Sequence, residues 1–233
     1  MNPQLAALRS RFASARDLSD RNESLQMPTG IPHLDLPRGA ITEVVGMGRT
    51  TVLCSTLAAA TRRQEVCAVV DTADTFDPAT AAAAGVDLHF LLWVRCAAKK
   101  SCALQVVDWL LQAGGFGVVA LDVANLTSRD VRNIPLHTWF RFRRAVEHKP
   151  TVLLVIAAEH CTSSTAALQL EMSQRSALWR AAASSESGGG LRLDGASGEY
   201  SQGSLFHGAA LEAIPRKPVS RRTTFEAESC LLA

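Results

Sequence analysis

The sequence predicts an α/β fold in which a mostly parallel, twisted sheet carries helices on both faces. Apolar runs lie at 41–45, 66–70, 91–94, 117–121 and 151–157, and helical spacing follows the first four near 50–63, 78–84, 101–113 and 136–148. Continuous apolar strands that alternate with helices are typical of parallel strands covered on both faces. The 233 residues are enough for one large domain with a substantial core.

The core is predicted to span residues 27–226, with an extension at each end. Leu5, Leu8 and Phe12 recur at helical spacing among arginines, which predicts a short amphipathic helix over 2–16. The polar stretch 20–30 predicts a linker, so residues 1–26 form an N-terminal extension. Glycine and serine dominate a predicted flexible insertion near 184–208, which lies between strand-like pieces at 175–180 and 211–216. Residues 227–233 are predicted to be a C-terminal tail.

Composition limits the classes of function. A net charge of +2 gives no strong overall field, so any affinity for nucleic acid must come from local patches. No apolar leader opens the sequence, and no run approaches the roughly 18 apolar residues of a spanning helix. We therefore expect a cytoplasmic protein without membrane contact. The six cysteines lack metal-ligand spacing, which predicts reduced thiols and no metal site. The histidines lack acid partners at a useful spacing, which predicts surface or capping roles: His33, His89, His137, His160 and His207.

The segment after the first core strand resembles a phosphate-binding loop that has lost its middle. A working loop has the pattern G-x-x-x-x-G-K-[ST], in which backbone N–H groups surround the phosphates and lysine reaches their oxygens. Here one residue separates Gly46 from Gly48, Arg49 occupies the lysine position, and Thr50 and Thr51 follow. The spacing predicts a degenerate phosphate loop. A plain strand–helix turn, a loop that still binds ATP, and an Arg49 side chain paired with Asp71 or Asp122 remain alternatives.

The order of motifs resembles the core of RecA-family recombinases over about residues 27–226. Residues 29–43 are similar to the segment that leads into the phosphate strand of that family. Residues 69–87, with Val-Val-Asp, Phe-Asp-Pro and Ala-Gly-Val-Asp, resemble its second strand and the helix that follows. Residues 118–122 resemble the strand whose final acid, here Asp122, is linked to magnesium. The resemblance implies a P-loop NTPase fold and a nucleotide site made of Gly46, Gly48, Arg49, Thr50, Thr51 and Asp122.

Departures from the family pattern argue against catalysis. Ala73 occupies the position of the water-activating glutamate, Thr80 that of the aromatic residue stacked on adenine, and Ala158 that of the glutamine that senses the γ-phosphate. Loss of a general base alone removes about 10²–10⁴ in rate, and loss of the phosphate cradle removes charge stabilisation. We therefore expect a pseudo-ATPase with no catalytic residue and no bound cofactor. ATP and magnesium are expected only if the protein is an active recombinase.

Two basic segments are candidates for weak DNA binding. Arg141 and Arg144 share one stripe of the helix predicted for 136–148, while Trp139, Phe142 and Val146 share the core-facing stripe. The second segment resembles the part of the family fold whose lysines reach a neighbouring nucleotide, and it contains Arg216, Lys217, Arg221 and Arg222. Solvated basic faces without a ligand are the alternative for both.

The shortened core most resembles the ImuA (SulA-like) group of that superfamily. The family's long DNA loop after 151–157 is almost absent here, and the short N-terminal helix replaces its oligomerisation element. The resemblance implies a non-hydrolysing accessory role in bacterial DNA repair, the SOS response to DNA damage and translesion synthesis, with RecA or a translesion polymerase assembly as partner. The alternatives are a divergent ATP-dependent recombinase that binds single-stranded DNA and, less favoured, a cell-division inhibitor.

Overall fold

The computed structural model describes residues 25–97, 99–181, 191–192, 204–218 and 222–228. The helix predicted for residues 2–16 therefore lies outside the described residues. The strands are β1 (Gln26–Pro28), β2 (Asp35–Pro37), β3 (Ala40–Gly46), β4 (Cys67–Asp71), β5 (Leu91–Arg95), β6 (Val118–Asp122), β7 (Val152–Ala157), β8 (Leu168–Ala181), β9 (Leu191–Arg192), β10 (Ser204–Lys217) and β11 (Thr223–Glu228). The helices are α1 (Arg49–Thr61), α2 (Pro78–Ala83), α3 (Lys100–Ala113), α4 (Ser128–Arg132) and α5 (Leu136–Val146).

The main sheet has the strand order β11-β10-β8-β3-β7-β6-β4-β5, and β9 pairs with β8 beside it. Strands β3 to β8 pair in parallel, whereas β9, β10 and β11 pair antiparallel. The predicted α/β class and the mostly parallel sheet are confirmed. Because all the parallel strands point the same way, the segment after β3, which was predicted to be a degenerate phosphate loop, lies at the edge where β4, β6 and β7 also end.

Two apolar layers cover the sheet. On one face, α1 contributes Leu57 to a cluster with Val44 and Leu154. On the other, α3 and α5 contribute Val107 and Phe142. Such burial on both faces explains why the central strands are continuous apolar runs. Among the described residues, no helix combines the length and apolar character needed to cross a membrane.

The helix α5 has the stripe that its sequence predicts. Trp139, Phe142 and Val146 are at most 1% exposed, whereas Arg141 and Arg144 are exposed. This 3.6-residue spacing places one apolar face on the sheet and leaves the basic face to water. The short helix α4 was not predicted, since a single turn capped by the Thr127 hydroxyl carries no periodic signal.

Several predicted boundaries are wrong. The linker expected for 20–30 includes β1, which pairs with β2 in a hairpin whose Met27 and Leu36 are fully buried. A flexible insertion was predicted near 184–208, but its last five residues belong to β10 and residues 191–192 form β9. The rest of that segment lies outside the described residues. The tail expected from residue 227 begins later, because β11 continues to Glu228.

An unusually short crossover joins β7 to β8. Both strands pair in parallel with β3, so the ten residues 158–167 must pass across β3. Parallel crossovers normally need a dozen or more residues and a helix, but this one contains only the 3-10 turn Ser163–Thr165. The structure thus agrees with the expected near-absence of a long loop after the fifth core strand.

A buried glutamate holds this crossover against the sheet. Glu43 is fully buried in β3, and its carboxylate accepts four hydrogen bonds. The donors are the backbone N–H groups of Cys161 at 2.7 Å and Thr162 at 2.8 Å, His160 Nδ1 at 2.8 Å, and Gln169 Nε2 at 2.9 Å. Burial alone would raise the pKa of Glu43, but these hydrogen bonds outweigh it and lower the pKa below 4.5. The crossover is therefore pinned by an ionised carboxylate.

The contact also corrects one expectation from the sequence. His160 is exposed, as expected for a surface residue, but it was also expected to lack an acid partner, and its ring nitrogen bonds Glu43 across 117 positions of the sequence. Because the acceptor is ionised, Nδ1 carries the proton. His89 similarly pairs with Asp87 at 3.0 Å.

Replacing Glu43 should destabilise the whole fold. In Glu43→Gln, the side-chain amide keeps the shape but turns an N–H group toward donors that need an acceptor. We expect a loss of about 2–4 kcal/mol in the free energy of unfolding, measured by urea denaturation with tryptophan fluorescence. Glu171→Gln is the matched control, because this partly exposed acid on β8 forms an ion pair with Arg216 near the surface and should cost less than about 1 kcal/mol. Equal stability of Glu43→Gln and the wild type would contradict this role.

The same contact should make stability depend on acid pH. A lowered folded-state pKa means that the contribution of Glu43 is present above the unfolded-state pKa and is lost as pH falls through the folded-state value. We therefore expect wild type and Glu43→Gln to converge in stability below about pH 4.5, the ordinary value for this group. A stability difference that stays constant into strong acid would contradict an ionised Glu43.

Candidate functional site

The candidate nucleotide turn lies at the end of β3. Gly46 ends the strand, and two residues, Met47 and Gly48, connect it to α1, which begins at Arg49. Both glycines have positive φ, 89° for Gly46 and 96° for Gly48. Residues with a side chain rarely adopt this backbone conformation, so the two glycines allow the tight turn between strand and helix.

Two other strands close this turn. A Cβ atom added to Gly46 would overlap the carbonyl oxygen of Met172 in β8. That same oxygen accepts a hydrogen bond of 3.1 Å from the Met47 N–H group. On the other side, the Leu211 side chain of β10 packs against Gly48 and is 4% exposed. One N–H group that a phosphate cradle would direct at its ligand is therefore bonded within the sheet, and an apolar side chain borders the turn.

The arginine in the lysine position bonds to its own turn. Arg49 Nη1 donates to the Gly46 carbonyl oxygen at 3.0 Å. This is not the side-chain ion pair with Asp71 or Asp122 that the sequence analysis left open. Burial and the nearby charge of Asp71 raise the pKa of Asp122. The Arg49 charge acts in the opposite direction and lowers this pKa, but its effect is smaller. Asp122 also accepts from the Ala124 N–H group at 2.9 Å.

The acid at the end of β4 is fully occupied by structural hydrogen bonds. The Asp71 carboxylate is buried and accepts from the N–H groups of Ala73 at 3.1 Å, Asp74 at 2.8 Å and Phe76 at 2.9 Å. A fourth hydrogen bond comes from Trp93 Nε1 at 3.3 Å. These bonds fix the turn that carries Ala73. Ala73, at the position expected to hold the water-activating acid, has only a methyl side chain.

A groove of about 510 Å³ lies beside the turn. Thr50 and Thr51 of α1, Thr80 of α2 and Phe225 of β11 are among the residues that line it. Thr80 donates its hydroxyl to Asp77, which caps α2, and this hydrogen bond lowers the pKa of Asp77. The groove is large enough for a small planar ligand, but the position expected to stack on adenine holds a threonine engaged in capping. Ala158 is exposed just beyond the end of β7.

The basic candidates for DNA binding have partners within the protein. Arg141 Nε donates to Asp108 at 3.0 Å, and Arg216 Nε donates to Glu171 at 2.6 Å. Lys217 Nζ donates to the carbonyl oxygens of Ser164 and Ala166, each at 2.7 Å. Arg222 lies 3.9 Å from Glu212, Arg144 is exposed, and Arg221 lies outside the described residues. DNA binding by this set stays a prediction.

The strand register separates Lys217 from the nucleotide turn. Lys217 pairs with Gln169 near the start of β8, whereas Met172, further along, pairs with Gly46. Lys217 instead lines a cavity of about 200 Å³ with Arg143 of α5. The two groups of sequence-predicted residues therefore do not form one site.

Sequence reasoning missed the buried contact between Glu43 and the crossover. The available signal was a single acid inside the apolar strand 41–45, because a fully buried carboxylate needs partners. No group of three metal-ligating side chains occurs within the ranges that the structure describes.

Comparison with known proteins places these features in a family. The RecA N-terminal domain family matches residues 10–133, which is more than half of the chain. Protein RecA of Brucella anthropi is 37% identical over 114 residues, covering 44% of this chain and 31% of that protein. Protein RecA of Mesorhizobium japonicum is 38% identical over 114 residues, with the same coverage. Protein RecA of Prochlorococcus marinus is 38% identical over 112 residues, covering 44% of this chain and 29% of that protein.

The chain thus spans about a third of the length of the curated relatives it matches. The matched region contains the strand–turn–helix unit, the acid at the end of β4 and the acid at the end of β6. By sequence and by fold, this chain belongs to the RecA N-terminal domain family.

Proposed function

We propose that this protein is a RecA-like accessory factor that does not hydrolyse ATP and acts in bacterial DNA damage tolerance. It works through contacts with RecA or a translesion polymerase assembly and binds DNA weakly. Assignment to the ImuA (SulA-like) group, and with it a place in the SOS response, is part of this proposal.

The closed turn is the observation that supports the proposal most. A phosphate cradle needs several N–H groups directed at one space. Here the Met47 N–H bonds the Met172 carbonyl, and Leu211 packs on Gly48. An inserted triphosphate would have to displace Leu211 and break the contact with β8.

Ala73, at the position expected for the catalytic base, also supports a role without ATP hydrolysis. The turn that carries Ala73 is fixed by the buried Asp71 carboxylate through three backbone hydrogen bonds. The methyl side chain of Ala73 itself offers no group that could activate water. The surface of the protein offers another way to act, since α5 carries exposed Leu136 and Phe140 beside exposed arginines. Such mixed apolar and charged surfaces suit contact with other macromolecules.

An ATPase assay tests the non-hydrolysing role. With magnesium, ATP and single-stranded DNA, we expect no turnover above the blank, and Arg49→Ala should change nothing, because Arg49 bonds its own turn. Arg62→Ala, a surface arginine that caps the other end of α1, is the matched control.

DNA-stimulated turnover that Arg49→Ala removes and Arg62→Ala keeps would overturn this role. It would favour the divergent recombinase, for which the retained Asp122 and Thr50 and the neighbouring groove offer a partial site.

RecA assembly tests the partner. We expect the purified full chain to bind RecA and to slow filament growth on single-stranded DNA. Replacing Leu5, Leu8 and Phe12 together with alanine should weaken this effect at least about ten-fold, because apolar anchors carry most interface energy. The readout is light scattering together with direct binding to immobilised RecA.

The matched control replaces three polar residues of the same segment, Gln4, Ser10 and Ser14, with alanine. If both triple variants inhibit like the wild type, the predicted helix is not the docking element. If the wild type itself does not bind RecA, the proposal that RecA is a partner is wrong.

A further inference from the structure

Two cysteine thiols meet beside the end of β5, in a part of the structure that none of the predicted sites uses. Cys96 follows β5 directly, and Cys102 lies in the first turn of α3. Both are free thiols, and their side chains form a hydrogen bond with each other. Cys96 is 3% exposed, whereas Cys102 is exposed to solvent. The pair therefore combines a protected sulfur atom with one that a small molecule in solution can reach.

The backbone around the two cysteines holds them together. The Cys96 N–H group donates to the carbonyl oxygen of Asp71 at 2.9 Å, which ties this residue to the end of β4. The Lys99 N–H group donates to the Cys96 carbonyl oxygen at 2.9 Å and closes a turn, and α3 begins directly after it. The Cys96 side chain belongs to the apolar cluster between the sheet and α3. The contact between the thiols is therefore built by the turn that joins β5 to α3.

The surroundings give the two sulfur atoms different reactivity. Burial, together with the hydrogen bond to Cys102, raises the pKa of Cys96 to about 11. Cys96 therefore keeps its proton at neutral pH, and its S–H group is the donor in the contact. Because a thiolate attacks an oxidant and a thiol does not, the exposed Cys102 is the sulfur that reacts first.

This arrangement is typical of cysteines that are oxidised reversibly. Such cysteines are accessible to solvent and often lie next to a second, resolving thiol. Cys96 and Cys102 are six positions apart, so a bond between them moves no distant element of the fold. Two thiols that already form a hydrogen bond need only small side-chain rotations to reach bonding geometry.

We propose that Cys102 and Cys96 form a reversible disulfide when the protein meets a hydroperoxide, with Cys102 as the attacking sulfur and Cys96 as the resolving one. The inference goes beyond the proposed function and depends on no nucleotide, DNA or protein partner. The new bond joins the end of β5 covalently to α3.

The reaction balances in two steps. The Cys102 thiolate attacks one oxygen of the hydroperoxide, the O–O bond breaks, and the second oxygen takes up a proton and leaves as water or an alcohol. Cys102 is then a sulfenic acid. The Cys96 sulfur attacks the Cys102 sulfur, the S–O bond breaks, and the oxygen leaves as water with the proton of Cys96. The two thiols lose two electrons to the hydroperoxide, and an external thiol reverses the change by thiol–disulfide exchange.

Peptide mapping of the full chain after treatment with hydrogen peroxide tests this assignment. Free thiols are blocked with iodoacetamide before digestion with trypsin, which cuts after Lys99 and Lys100 and so separates the two cysteines. We expect a cross-linked pair of peptides, one beginning at Cys96 and one at Ser101, which dithiothreitol separates. The native chain should form this pair at least about ten-fold faster than the chain unfolded in urea, because the fold holds the thiols in contact.

Variants separate the roles of the two sulfur atoms. Cys102→Ser should abolish the cross-link and leave the buried Cys96 unmodified, whereas Cys96→Ala should leave Cys102 as a sulfenic acid that dimedone labels. Cys161→Ser is the matched control, because this partly buried thiol contacts Glu43 and should change neither result. Since Cys102 is exposed, its variant remains informative even if the Cys96 variant does not fold.

Three results would refute the inference. One is a native chain in which peroxide yields no cross-link between Cys96 and Cys102, and another is an equal rate of cross-linking in urea. The third is dimedone labelling of Cys96 in the Cys102→Ser variant, which would reverse the two roles. The ATPase and RecA measurements have no bearing on these results, so failure here is distinguishable from failure of the proposed function.

Discussion

The structure depends on one buried carboxylate that fixes how β8 meets β3. Glu43 bonds two consecutive N–H groups of the crossover, and Gln169 at the start of β8 bonds the same carboxylate. This contact allows ten residues to cross β3 and join β7 to β8, a connection that normally contains a helix. It also sets the register that brings Met172 beside Gly46 and, through β10, Leu211 beside Gly48. The closed turn is thus a consequence of how the sheet is assembled.

The same crossover influences two parts of the structure. On one side it positions β8 and β10 against the turn between β3 and α1. On the other, its residues His160 and Ser163 line a cavity of about 380 Å³ beside the start of α5. The short connection thus constrains both the closed turn and this cavity.

Much of this fold could be predicted from the sequence, because each central strand is a continuous apolar run and α5 has a clear stripe. The long strands β8 and β10 could be predicted only in part. Charged residues such as Arg175 in β8 and Glu212 in β10 interrupt their apolar residues, so neither strand is a continuous apolar run. The two strands are stabilised by pairing with each other across a large sequence separation. The glycine spacing predicted a shortened turn, but Met172 and Leu211, which close it, are far away in the sequence. The partners of Glu43 were equally invisible, since they lie more than 110 positions away.

The central claim is that this turn cannot enclose a triphosphate. A crystal structure of the chain grown with magnesium and a non-hydrolysable ATP analogue tests it most directly. The account predicts that the Met47 N–H group still bonds the Met172 carbonyl and that Leu211 still covers Gly48, with no phosphate against residues 46–51. A triphosphate seated on those residues, with magnesium beside Thr50 and Asp122, would contradict it.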